Sequence, residues 1–193
     1  MYARVRKIGL LLGTSFLGLV LAVIAVPFLG DCRIGAVPQP SEVIVVLAWD
    51  STRDDYAVAL VEGGIAPRLL STLVDPQCVR AGRPPRDCAS DVRSTVDEAL
   101  LMRRALMAEG VQRATIVTSN YHVLRAAAVF STVFIGSGIQ VSVVAPPALF
   151  PSGWLLRSEL VKFFPSVGAA VIGRLSPALY YWVVGQIREE TRS

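Results

Sequence analysis

One histidine, His122, and two lysines, Lys7 and Lys162, are all the chain of 193 residues holds of these two types. With a lone imidazole and no His, Cys, Asp or Glu at ligand spacing, no metal site is expected. No GxGxxG follows the first strand-like run. Gly136-Ser137-Gly138 precedes a strand instead of opening a helix, and neither a P-loop nor a GxSxG occurs, so no cofactor is expected from the motifs. The net charge is +4, yet no block of five or six Lys and Arg appears, so a nucleic-acid partner is not expected either.

What the chain has in quantity is apolar residues, 53% of the total, and they are concentrated at the start. Ile8 to Leu29 is a run of 22 residues without a charge. As a helix it spans roughly 33 Å, enough for the hydrocarbon core of a bilayer. Arg4, Arg6 and Lys7 precede it and Asp31 follows, so the positive-inside rule leaves the N-terminus in the cytoplasm and the rest across the membrane. A cleaved signal peptide is the competing reading, with Val23-Ile24-Ala25 at the cleavage point. Signal cores are shorter, which favours the anchor. The expected layout is a cytoplasmic stub and anchor over residues 1–31, a linker over 32–41 with Pro38 and Pro40, an α/β domain over 42–165 and a helical extension over 166–193. The localisation that follows is the inner (cytoplasmic) membrane, single-pass, with the domain facing the periplasm or extracytoplasmic side.

Cysteine usage fits export. Cys78 and Cys88 share one polar, Pro-containing loop, close enough for a disulfide in an oxidising compartment; two free thiols are the alternative. Cys32 is the odd one.

Along the domain, Glu42 to Leu47 is a β-branched run of the kind buried on both faces of a sheet. Tyr56, Ala57, Leu60 and Val61 then follow helical spacing up to Gly63-Gly64. Arg68 to Leu73 reads as a second strand, and Val74 to Ser90 as a loop. Thr95 to Glu109 is a helix closed by Gly110, Ala114 to Thr118 a third strand, Tyr121 to Phe134 a third helix and Gln140 to Val144 a fourth strand. The order βαβαβαβ implies a three-layer α/β sandwich with a mostly parallel sheet and ligands beyond the C-terminal strand ends. Trp154 to Phe164 and Ala169 to Ile187 read as helices. The second carries Arg174 and Pro177, so a packed or membrane-surface helix is expected over a second span.

Three groups could carry chemistry. Thr118-Ser119-Asn120-Tyr121-His122 ends a strand and opens a helix, with Arg125 one turn on. Backbone N–H groups, hydroxyls, an imidazole and a guanidinium suit an oxyanion or phosphate. The plainer reading makes Ser119 or Asn120 a helix cap and His122 a solvated first-turn residue. Arg93-Ser94-Thr95 with Asp97 and Glu98 is close to a capping box. Asp50, Thr52 and Arg53 follow the first strand, where Asp serves as a turn residue, as a base or as an acceptor for ligand hydroxyls.

On these residues the chain resembles the YdcF-like domain family, with its membrane-anchored SanA/ElyC-like members, over roughly Glu42 to Lys162. The match rests on the IVVL strand, on Arg53, Ala57, Leu60, Gly64, Ala66 and Pro67 at the family's spacing, on Arg93-Ser94-Thr95 with Asp97, and on Trp154, Glu159 and Lys162. Val117 to Ala126, for the family's VTS-x-YH-x-xRA segment, is the specific part. Two glycine turns are missing: Ala48-Trp49-Asp50 and Ser71-Thr72-Leu73 stand in their places, which narrows how closely a ligand approaches the backbone. The resemblance implies a Rossmann-like fold and roles in envelope integrity, cell-wall assembly and undecaprenyl-phosphate carrier metabolism. S-adenosylmethionine binding, associated with cytoplasmic members, does not transfer across a membrane where that cofactor is not supplied.

The expectation is a membrane-anchored enzyme or binding protein acting on a phosphate-bearing envelope lipid or glycan intermediate. Arg125, Arg53 and Arg93 would hold anionic oxygens, with Thr95, Thr118, Ser119 and Asn120 contributing around them. His122 would move a proton and Asp50 would orient it or accept from a hydroxyl. The alternative is a non-catalytic envelope scaffold or ligand-binding module.

Overall fold

The β-branched run of Glu42 to Leu47 does form the centre of a sheet in the computed structural model, which describes residues 32–190 apart from 36, 49 and 148–152. The expected anchor and cytoplasmic stub lie outside the described residues. Among those described, no helix is long and apolar enough to cross a membrane. The strands are β1 (Cys32–Ile34), β2 (Val43–Val46), β3 (Leu69–Ser71), β4 (Arg113–Val117) and β5 (Gln140–Val144), in the order β1-β5-β4-β2-β3. Every neighbouring pair is parallel. The helices are α1 (Ser51–Glu62), α2 (Pro76–Arg80), α3 (Thr95–Ala108), α4 (Val123–Phe134), α5 (Gly153–Leu175) and α6 (Pro177–Glu190).

Parallel strands need crossovers, and right-handed ones decide which face each helix covers. From β2 the chain moves outward to β3 through α1, then reverses across β2 to β4 and on to β5 through α3 and α4. The outward and reversed crossovers land on opposite faces. Ala57 and Leu60 of α1 pack on Ile44, Val46, Val117 and Val144. The alternate residues Val43, Val45, Ile116 and Val143 meet Val96, Met102, Leu106, Phe130 and Val133 of α3 and α4 on the other side. β2 is buried on both sides along its whole length and so reads as an unbroken apolar run, while β4 and β5 are buried beyond their first residue. Gly64 and Gly110 take positive φ of 76° and 67° just past the ends of α1 and α3, the conformation their stop signals require.

Two parts of the expected layout change. Cys32–Ile34, assigned to the linker, pairs with Val141–Val143 as an edge strand. Its Cys-Arg-Ile sequence is too short and mixed to show a strand pattern. The boundary at 165/166 also falls inside a helix, since α5 runs through Pro165 to Leu175. Pro165 and Val161, whose carbonyl the missing N–H would have met, both lie exposed, the side of a helix on which solvent can replace the lost donor. The break comes instead at Ser176-Pro177, where Ser176 Oγ accepts from Leu179 N–H at 3.3 Å and Pro sits at the first helical position. Val167, Ala170 and Tyr180 are buried, making the C-terminal helices part of the core.

The loop over Val74 to Ser90 is folded upon itself. Asp75 caps the short α2 through Gln77 N–H at 2.9 Å, Val74 bridges Ala89, and Cys78 and Cys88 form a disulfide with Cα atoms 5.5 Å apart. The bond spans ten residues of sequence. Loop-closure entropy puts its contribution at about 2 to 3 kcal/mol. Reduction under native conditions should lower the unfolding free energy by that amount, read from the shift of the denaturation midpoint. An unchanged midpoint would mean that the loop is held without it.

Candidate functional site

The β2 and β4 C-termini are where the chain reverses direction across the sheet, and a crevice opens at such a point. A cavity of about 390 Å³ lies there, reached from Leu47 and Ala48 after β2 and from Thr118 after β4. Four cations line it, Arg53, Arg93, Arg125 and Lys162, together with His122 and a single carboxylate, Glu98.

The 3-10 turn Asn120–His122 and the first turn of α4 present His122 and Arg125 side by side. Glu159, from the middle of α5, joins them. Its Oε2 accepts from Arg125 Nε at 2.7 Å and lies 2.8 Å from His122 Nδ1, while Arg125 NH1 donates to Thr95 Oγ1 at 3.0 Å. Arg125 NH2 is 2.7 Å from His122 Nδ1. All three guanidinium nitrogens are therefore engaged, and Arg125 braces the site before it binds anything. NH2 also reaches Glu159 Oε1 at 3.4 Å, so the hydrogen left over for a ligand is the second one on NH1.

His122 is pushed down to about 4, by burial first and then by the charge of Arg125, against the opposing pull of Glu159. The imidazole is neutral at pH 7. Burial raises Glu159, but the Arg125 hydrogen bond and the neighbouring positive charge outweigh it, and its carboxyl ends below the ordinary range. With a proton on Nδ1 given to Glu159, His122 presents a bare Nε2 as a base; with Nδ1 accepting from Arg125, it presents Nε2–H as an acid. A proton taken up at Nε2 of the first form makes the imidazolium, whose charge Glu159 faces, and its release from Nε2 restores that form.

The depressed value has a stability consequence. An unfolded histidine takes its proton near pH 6.5 and the folded one only near 4. The stabilisation present above pH 6.5 is lost as pH falls towards 4, at up to about 1.4 kcal/mol per unit and about 3 kcal/mol in all. His122→Asn should flatten this part of the stability profile between pH 7 and 4, read from urea midpoints. Parallel profiles for wild type and variant would place His122 in solvent.

Asp50 does not orient His122, contrary to the expectation from sequence; Glu159 takes that place. Asp50 caps α1, accepting from Thr52 N–H at 3.1 Å and from Thr52 Oγ1 at 2.6 Å, and it also accepts from Ser119 Oγ. Burial raises its carboxyl, and the Ser119 and Thr52 hydrogen bonds with Arg53 more than reverse that. Ser119 is thus neither a cap nor a ligand group: its hydroxyl accepts from Arg53 Nε at 2.8 Å and donates to Asp50. Arg53, 5% exposed, spends NH1 on Ala48 O at 2.7 Å and ties α1 to both strand ends. Asn120 is exposed and does not line the cavity. Arg93, at the rim, reaches Asp91 Oδ1 with Nε and NH2, each at 2.8 Å. Thr118 lines the cavity, but its Oγ1 is buried away from it and has no hydrogen-bond partner among the described residues. A buried hydroxyl left so costs about 1 to 3 kcal/mol.

Ser94 and Asp97 do form the cap of α3, Ser94 Oγ accepting from Asp97 N–H at 3.1 Å. The cap frees the next acid for the cavity. Glu98 Oε1 accepts from Ala48 N–H at 2.8 Å and from Thr72 Oγ1 at 2.7 Å, and burial pushes its carboxyl up. Thr72 stands where the resembled family has a glycine turn, so a side-chain pair occupies the backbone N–H that a bare turn would leave to a ligand. Reading the sequence did not assign Glu98, Tyr121 or Ser94 to the cavity, and named Glu159 and Lys162 without a role. Lys162, exposed on α5, lines the cavity with no partner among the described residues.

No family model, curated protein or solved structure matches the chain. Among the described residues no group of three or more His, Cys, Asp and Glu is placed to hold a metal.

Proposed function

We propose that this is a membrane-anchored member of the YdcF-like family, Rossmann-like in fold, whose cavity takes the phosphate of a cell-envelope intermediate on a polyprenyl carrier. The observation that carries this reading is the cavity's lining: four cations against one carboxylate, around a histidine kept neutral by burial. Lys162 and the uncommitted hydrogen of Arg125 NH1 would meet anionic oxygens, and His122 Nε2 would move the proton. The Cys78–Cys88 disulfide supports an oxidising compartment outside the cytoplasm.

Binding without turnover is the second reading. It draws on the surroundings of His122 Nε2, whose one partner among the described residues is Arg125 NH2 at 3.4 Å, with no hydroxyl nucleophile in reach. A catalysed reaction would therefore use water as the nucleophile. Incubating the full chain with a polyprenyl pyrophosphate separates the two: release of inorganic phosphate supports hydrolysis, and saturable binding with no release supports a binding module. Absence of both would remove the phosphate reading. The compartment is tested by a reporter fused after Ser193, expected to be active only if it works outside the cytoplasm. A cytoplasmic-only signal would overturn the orientation.

A further inference from the structure

The outer surface of α5 and α6 is apolar where a water-facing helix should be polar. Leu160, Val161, Phe164, Ile172 and Leu175 recur at spacings of three, four and eight along one stripe of α5, with Val161 76% and Leu175 79% exposed. On α6, Leu179, Tyr181 and Trp182 are exposed as well, Trp182 at 63%. Scattered exposed apolar residues are ordinary, but an apolar stripe on one helix with further large apolar residues bare on the next marks a surface with a partner.

We infer that this face lies on the bilayer surface, docking the domain on its side against anionic lipid. Three observations select lipid over a second copy of the chain. The uncharged run of Ile8 to Leu29 ends three residues before β1 begins at Cys32, so an anchored domain has its first strand within about 10 Å of the membrane. The two helices, residues 153–190, hold four cations and three acids; Glu159 is already paired inside the domain, and Glu189 and Glu190 stand together at the far end of α6. Arg157 and Lys162 are left exposed beside the apolar stripe, as attraction to anionic headgroups requires. Tyr181 and Trp182 are the residue types that settle at the headgroup level.

The docked face also meets the proposed site. Lys162 lines the cavity while its neighbours Leu160 and Val161 belong to the stripe, so the cavity opens beside the lipid surface. A carrier lipid would reach it with the isoprenoid in the bilayer and the phosphate at Lys162. The docking does not depend on that ligand. A domain that docks but binds no phosphate would pass the test below, and one that binds phosphate without docking would fail it.

The test uses the full chain in vesicles of phosphatidylcholine and phosphatidylglycerol, with and without brominated acyl chains. The emission lost in Trp182→Phe should be the fraction that brominated lipid quenches and aqueous iodide does not. As a second position, Val161→Cys in a Cys32→Ser background, labelled with an environment-sensitive dye, should shift its emission to the blue, and charge reversal at Arg157 should weaken both signals in anionic vesicles. Emission from Trp182 that iodide quenches and brominated lipid leaves untouched would overturn the inference. So would emission shielded from both, because that is the signature of a second protein copy over the stripe.

Discussion

Arg125→Ala is expected to lower the unfolding free energy by about 3 to 5 kcal/mol, the cost of leaving a buried carboxylate without its cation. The side chains of Arg125 and Glu159 are only 11% and 9% exposed, so water does little to replace the lost partner. Arg125→Lys keeps a positive charge near Glu159 and should recover much of this loss. Its ammonium cannot reach Glu159, Thr95 and His122 together, so function should still be impaired. Urea denaturation at pH 7 gives the stability, and the imidazole resonance of the chain's single histidine gives a second readout. With Arg125 gone, the pull of Glu159 is opposed by burial and the weaker charge effect of Arg53, and the His122 pKa should climb from about 4 towards its ordinary value. A loss below about 1 kcal/mol with an unmoved histidine would mean that Arg125 is a solvated surface residue.

The other large effect belongs to His122. If it moves the proton, His122→Ala should reduce turnover by about 10² to 10⁴-fold while leaving ligand affinity within a few-fold, since proton transfer contributes to rate more than to binding. Glu159→Gln removes the charge next to Nδ1 and should fall between wild type and His122→Ala, with its pH profile displaced. The cellular form of the test is rescue of an envelope-stress phenotype in a deletion strain at matched protein levels. Full rescue by both His122→Ala and Arg125→Ala would reduce this constellation to scaffolding.

The fold was legible in the sequence to the extent that burial is periodic. β5 has the bounds its apolar run indicated, and the helices after β2, after the disulfide loop and after β4 were readable from spacing and glycine stops. Edges and breaks were less so. β1 is three residues whose pairing with β5 is set by a partner more than a hundred residues away, and no local pattern encodes that. Pro165 looked like a helix end because its cost was judged without knowing that its side of α5 faces outward.

At the site, the local cluster Thr118 to Arg125 was visible because one strand end and one helix start carry it. Its partners were not. Glu159 lies 34 residues beyond Arg125 on another helix, and its role follows only once α5 packs beside α4. Asp50, the acid expected to orient His122, is drawn off to cap α1 and hold Ser119. Glu98 was hidden inside a capping pattern to which its neighbour Asp97 in fact belongs. The cations were recognisable as a group, yet their hydrogen-bond geometry divides them: Arg53 and Arg125 stiffen the cavity, while Lys162 remains free to meet a ligand.

The central claim, an anion held beside a neutral His122, is tested most directly by titrating that one imidazole by NMR in the presence of a short, soluble isoprenyl phosphate. A phosphate bound within about 6 Å should raise the His122 pKa from about 4 by about one unit or more, saturably, and the rise should shrink in Lys162→Gln. A titration curve that stays where it is with the ligand in large excess would contradict the account.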